Sequence, residues 1–141
     1  MVGVGRERGH GLYEDAARMR ATEARHLADG GHLCGALYLA GYVIECKLKD
    51  LLSRSSRPFP RSGQAGHDLR GLWDAAGLRR EDLVGHKRAF LDYWSTSIRY
   101  TCVVESPHAP TDLLKGAIEL AGMVTHRVRY ARPLRHGGRK S

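Results

Sequence analysis

Residues 33–52, LCGALYLAGYVIECKLKDLL, are the longest apolar-rich stretch of the chain, and their reading decides the fold class. Leu33, Leu37, Gly41, Ile44, Leu48 and Leu51 or Leu52 recur at steps of three and four, the spacing of one helix face laid on a core. A second stripe, Tyr38, Tyr42, Glu45 and Lys49, follows at steps of four, three and four. Two phenols, a carboxylate and an ammonium thus share one side of the same helix. The first stripe states what the helix buries. The second offers polar chemistry to a ligand, a partner or another helix. The plainer alternatives are a solvated i, i+4 ion pair for Glu45 and Lys49, worth about 0.3–0.5 kcal/mol, and core or dimer-interface packing for the tyrosines.

Working outward from this stretch, residues 12–28 read as a helix with Ala17, Ala21, Ala24 and Ala28 on one face, small enough for a second helix to approach closely. Gly30-Gly31 breaks it. Residues 1–11, rich in Gly and Arg and without periodicity, are expected to be a flexible lead-in. On the other side, RSSRPFPRSGQAG (54–66) is the clearest loop. Residues 67–78 give a short helix with Leu69, Leu72, Trp73 and Ala76 on one face and Gly77 as its stop. A long helix is expected over 80–104, with Gly85 as a point where it can break; Phe90, Trp94, Ile98 and Cys102 lie four apart on it. The one weak strand-like alternation is at 100–104. After a second loop, with Thr111 or a neighbour as N-cap, Leu114, Ala117, Ala121, Val124 and Val128 mark a last amphipathic helix over 112–130, ended by Pro133. Residues 132–141 form a basic tail. The expected architecture is all-α, an antiparallel bundle of four to five helices over residues 12–131.

A chain of 141 residues, 42% hydrophobic and 27% charged, is long enough for one domain with a real core. Its net charge of +8 is carried mostly by arginine, since lysine occurs only at positions 47, 49, 87, 115 and 140. That favours RNA or an acidic partner, against the alternative that the charge serves solubility alone. Three scattered cysteines without a CxxC pair, no signal sequence and no membrane-length apolar run lead to the expectation of a reduced cytoplasm and no membrane. His32 and Cys34 are an isolated pair, and no phosphate-binding glycine loop or Gly-x-Ser-x-Gly elbow occurs, so neither a metal nor a cofactor is expected.

Three blocks in order resemble the HEPN domain family, a small all-α domain of prokaryotes and higher eukaryotes. The first is A-x-Y-L-A-G-Y-x-x-E-C-x-L-K, carried by Ala36, Tyr38, Leu39, Ala40, Gly41, Tyr42, Glu45, Cys46, Leu48 and Lys49. The second is H-D-L-x-x-L at His67, Asp68, Leu69 and Leu72, and the third W-x-x-x-x-R-Y at Trp94, Arg99 and Tyr100. Together they span residues 14–130. The resemblance implies an antiparallel bundle that dimerises. Many members are metal-independent ribonucleases of toxin–antitoxin and antiviral systems; others accompany a nucleotidyltransferase or bind nucleotides. The nuclease members carry an R-x4-6-H motif, in which a histidine moves a proton at the ribose or leaving oxygen and an arginine meets the phosphorane-like charge.

Six Arg–His pairs here have that spacing: Arg20–His26, Arg25–His32, Arg61–His67, Arg79–His86, Arg80–His86 and Arg129–His136. About three are expected by chance in so basic a chain, so spacing does not choose among them. Arg61–His67 stands out because His67 lies inside a block of the resemblance, which makes the pair the catalytic candidate. Arg99-Tyr100 is followed by no histidine within the window. Arg99, Tyr100, Tyr38, Tyr42, Glu45 and Lys49 are the candidate RNA- or nucleotide-binding residues. The structural alternatives are a helix-capping role for His67 and, for Arg99, a buried pairing with Glu45 or Asp92. Three functions compete: an RNA-cleaving toxin or defence effector; a non-catalytic partner of a nucleotidyltransferase-type antitoxin or another effector; and a dimerisation module. A homodimer is expected in each.

Overall fold

The stripe on residues 33–52 folds as the middle helix of the molecule. In the computed structural model, which describes residues 4–100 and 104–131, α1 (Val4–Asp29) and α2 (Leu33–Arg54) are joined by three residues and pack along each other, an antiparallel hairpin. They are followed by α3 (Leu69–Ala75), α4 (Gly85–Tyr93) and α5 (Pro110–Arg129), with 3₁₀ turns at Ala65–His67, Arg80–Asp82 and Thr96–Tyr100. The described residues contain five α-helices and no strand. Helix α2 touches α1, α5, α3 and the Thr96–Tyr100 turn, while α4 packs on α5. Twelve of the 22 residues of α2 are buried, Leu37, Ile44, Leu48 and Leu52 completely. A helix so enclosed is held by its neighbours more than by propensity. Trp73, Phe90, Leu91, Trp94, Leu113 and Leu120 complete the core around it.

Sequence chemistry explains the breaks. Helix α1 ends with the amides of Gly31 and His32 on the carbonyls of Ala28 and Leu27, and α3 ends the same way through Gly77 and Leu78. Both glycines have positive φ, as that terminator requires. Helix α2 uses the same terminator, but with Ser56 at φ +58 in the glycine position.

Four expectations need correction. Helix α1 begins at Val4, so residues 4–11 continue the helix. The long helix over 80–104 is three pieces: Gly85 has φ +64, and the extended backbone at Trp94 (ψ 135) ends α4. Phe90, Trp94 and Ile98 are nevertheless all buried, because the chain turns around Trp94 without leaving the core. Helix α5 begins with Pro110 as its first residue, not with Thr111 as cap; a proline there loses no hydrogen bond the helix would have made. Its deepest residues are Leu113, Ala117, Leu120 and Val124, so Leu114, Ala121 and Val128 flank the core instead of filling it. Most of the strand-like stretch at 100–104, Cys102, and the tail over 132–141 lie outside the described residues.

Candidate functional site: a buried ion pair that orients His67

The second stripe of α2 faces inward. Glu45 and Lys49 side chains are only 6% and 5% exposed, and Lys49 Nζ lies 3.0 Å from Glu45 Oε2. The solvated-pair reading is excluded by that burial. Lys49 Nζ also donates to the Arg61 carbonyl at 3.2 Å, fastening the loop after α2 back onto the helix. The other face of the Glu45 carboxylate takes His67: Nδ1 is 3.0 Å from Oε1 and 3.2 Å from Oε2. Beside the Lys49 ammonium the carboxylate accepts, so Nδ1 carries the proton of this contact, and in the neutral imidazole the lone pair is then on Nε2. The His67 side chain is 38% exposed, and Nε2 has no protein partner among the described residues. His67 sits in the Ala65–His67 turn, ahead of α3; it caps no helix, and the partner it takes is a carboxylate on another element.

Tyr42 packs edge-on against the His67 ring, centroids 5.8 Å apart, and against Trp94 at 5.4 Å. Its hydroxyl is 3.1 Å from that of Tyr38. Burial, then that hydrogen bond, then the charges of Tyr38 and Glu45 push the Tyr42 pKa up, against a smaller opposing effect from Arg99. Tyr42 is therefore a neutral phenol at physiological pH. Trp94 is placed by Gly41: a Cβ there would fall inside the indole, and Trp94 Nε1 donates to the Tyr38 carbonyl at 3.1 Å.

Tyr38, Tyr42, Glu45, Lys49 and His67 thus form one connected cluster. Arg61 belongs to it by its backbone only. Its guanidinium lies 4.4 Å from the centre of the Phe59 ring and donates to the Tyr13 hydroxyl at 3.3 Å. Arg99 does not meet Glu45 or Asp92. It is exposed, beside the hydroxyls of Tyr38 and Tyr100 that raise its pKa, with its guanidinium 4.9 Å from the Tyr100 ring centre. Asp92 pairs with Arg88 instead. The two arginines flank the cluster, Arg61 on the side of Lys49 and Arg99 on the side of Tyr38.

The other Arg–His spacings lead elsewhere. Arg20 pairs with Glu23, Arg79 with Asp82 and Arg80 with Asp74, while His86 approaches Asp112 of α5 at 3.8 Å. His136 lies outside the described residues. Arg70, not singled out in the sequence, donates to the carbonyls of Leu91 and Trp94 at 2.8 and 3.1 Å. It thereby satisfies the end of α4 and holds the Trp94 turn. Nothing in its spacing marked it, because its partners are backbone atoms more than twenty residues away. Among the described residues no three His, Cys, Asp or Glu side chains converge as metal ligands, and no helix is long and apolar enough to cross a membrane. Comparison with protein-family models, curated proteins and solved structures finds no match to the chain.

Proposed function

We propose that this chain is a HEPN-like, RNA-directed toxin or defence effector that cleaves RNA without a metal, with His67 as its general base and acid. One observation carries the reading: a buried carboxylate, charge-compensated by Lys49, holds His67 by Nδ1 and leaves Nε2 without a protein partner among the described residues, on a half-exposed ring. An imidazole so oriented takes a proton from a ribose 2′-hydroxyl and returns one to the leaving 5′-oxygen. Glu45 stabilises the imidazolium formed between those steps, as the buried carboxylate of a hydrolase triad does. Arg99, exposed beyond Tyr38, and Arg61, released from Tyr13, supply guanidinium groups for the phosphate. Tyr100, which is 76% exposed, offers a face on which a base can stack. The resemblance of the three sequence blocks supports the same reading and adds the homodimer.

A second reading rests on the Arg61 side chain, which is turned to Phe59 and Tyr13. In that case the chain binds RNA or a nucleotide without turnover, as the partner of a nucleotidyltransferase or another effector. The deciding experiment is cleavage of RNA in excess EDTA by wild type, His67→Ala and Glu45→Gln. The catalytic reading expects cleavage by wild type, none by the first variant and a loss of at least about tenfold in the second. Binding without cleavage by folded wild type sinks it in favour of the second reading. Cleavage undiminished in His67→Ala moves the site.

A further inference from the structure

Tyr38 and Tyr42 stand one turn apart on α2, both half-buried, with their hydroxyl oxygens 3.1 Å apart. Each hydroxyl has one proton to donate. Only one of those two protons lies in the bond they share, whichever oxygen donates it. The charged groups around the pair offer no acceptor for the other. Arg99, beside the Tyr38 hydroxyl, carries donors only. The Glu45 carboxylate, whose charge reaches Tyr42, is engaged by Lys49 and His67. Among the described residues the second phenolic proton has no acceptor, so the pair ends on one O–H that is left to donate. Its rings are held in place by packing. Trp94 stacks on Tyr38 at 6.4 Å between centroids and meets Tyr42 edge-on at 5.4 Å. Tyr42 in turn touches the His67 ring, centroids 5.8 Å apart. A free donor thus stands beside the imidazole whose Nε2 has no protein partner among the described residues. Together they call for a ligand that brings an acceptor oxygen to the phenols and a hydroxyl to Nε2.

We infer that the Tyr38–Tyr42 hydroxyl pair donates a hydrogen bond to one non-bridging oxygen of the scissile phosphate, as a second catalytic element of the His67 site. This rests on the RNA cleavage proposed above. In that reaction His67 Nε2 takes the proton of the ribose 2′-hydroxyl and the 2′-oxygen bonds to phosphorus. The bond from phosphorus to the 5′-oxygen breaks, and that oxygen receives the proton from the imidazolium. The products are a 2′,3′-cyclic phosphate and a 5′-hydroxyl. Between these events negative charge gathers on the non-bridging oxygens. The phenols transfer no proton. They hold a hydrogen bond that strengthens as that charge grows, so it favours the transition state over the bound substrate. Because the rings are already packed, the donor needs no reordering when the charge develops.

The test is cleavage, in excess EDTA, of a short RNA with one cleaved linkage, made as the plain diester and as its two phosphorothioate diastereomers. Wild type is compared with the double change Tyr38→Phe with Tyr42→Phe, which keeps both rings on Trp94 and His67; each protein is verified as folded by its melting temperature. Sulfur is a poorer acceptor than oxygen and only one of the two positions faces the phenols, so wild type is expected to cleave one diastereomer at least about tenfold more slowly than the other. The double variant is expected to lose at least about tenfold in kcat on the plain RNA with KM within roughly threefold, and to discriminate the diastereomers far less. Equal cleavage of the plain RNA by both proteins overturns the inference and leaves His67 as the proposed base. So does a diastereomer preference that is absent in wild type or unchanged in the double variant. No cleavage by folded wild type overturns both.

Discussion

At the scale of single residues, Glu45 has two tasks: it neutralises Lys49 and it aims His67. A buried ion pair contributes little net stability, but losing one partner strands the other in a low-dielectric site. Glu45→Ala is therefore expected to destabilise the chain by about 3–5 kcal/mol, read from urea unfolding midpoints, while exposed charges such as Glu23 cost under about 1 kcal/mol. Replacing both partners, Glu45→Leu with Lys49→Met, removes the stranded charge and is expected to cost less than either single change, while leaving His67 without its carboxylate. A double variant as unstable as the sum of the singles would mean that the pair is not an isolated unit. Cys46, next to Glu45, gives a separate check on how closed this helix face is. Burial first, and the Glu45 charge second, push its thiol up to about 11. At pH 8 such a group is about 0.1% thiolate, against roughly a quarter for an ordinary thiol near 8.5. Its higher basicity recovers only about tenfold in nucleophilicity. Iodoacetamide is thus expected to label Cys46 at least about tenfold more slowly than a cysteine in a short peptide, followed by peptide mass spectrometry. Equal rates would show that this turn of α2 opens readily.

At the scale of elements, what was legible was whatever depends on local spacing. The stripe from Leu37 to Leu52 located α2, the Gly30-Gly31 pair located its start, and Gly77 located the end of α3. The errors arose where a distant group decides. Trp94 continues the four-residue period of Phe90 and Ile98, yet the helix stops there because Arg70 takes the carbonyls that a further turn would have used and Gly41 offers the indole a seat. The candidate site was legible to the same degree. Tyr38, Tyr42, Glu45 and Lys49 were found from their spacing, but their burial and the Glu45–His67 contact, 22 residues apart, were not. The Gly41–Trp94 contact is the joint between these two elements. Gly41→Ala is expected to force the indole out of its seat at a cost of about 1–3 kcal/mol or more. The Tyr42–His67 packing should loosen with it, visible as a fall in Tm and a red shift in tryptophan emission. An unchanged melt would mean that α2 and the Trp94 turn do not approach as described.

At the scale of the whole molecule, the net charge of +8 bears on function only if some of the cations are free to meet phosphate. Arg18, Arg20, Arg79, Arg80 and Arg88 are paired with neighbouring carboxylates on the surface. Among the described residues, the side chains of Arg61 and Arg99, at the two ends of the His67 cluster, have hydroxyl and ring partners and no carboxylate. If the proposed function holds, single-stranded RNA crossing the cluster should therefore displace counterions chiefly at these two and at one or two further cations. For three phosphate contacts the affinity falls with a logarithmic salt slope of about −2, roughly 20-fold between 50 and 200 mM salt. The double change Arg61→Ala with Arg99→Ala is expected to bring that slope to about −0.7 and to abolish cleavage, since the phosphate is no longer held over His67. Deleting residues 132–141, which carry Arg132, Arg135, Arg139 and Lys140, should lower affinity evenly across RNA sequences and leave the positions of cleavage unchanged. The reverse pattern, a slope flattened by the deletion and untouched by the two arginine changes, would place RNA on the tail and leave the cluster without a nucleic-acid role. Filter binding at four salt concentrations on the three proteins separates the two.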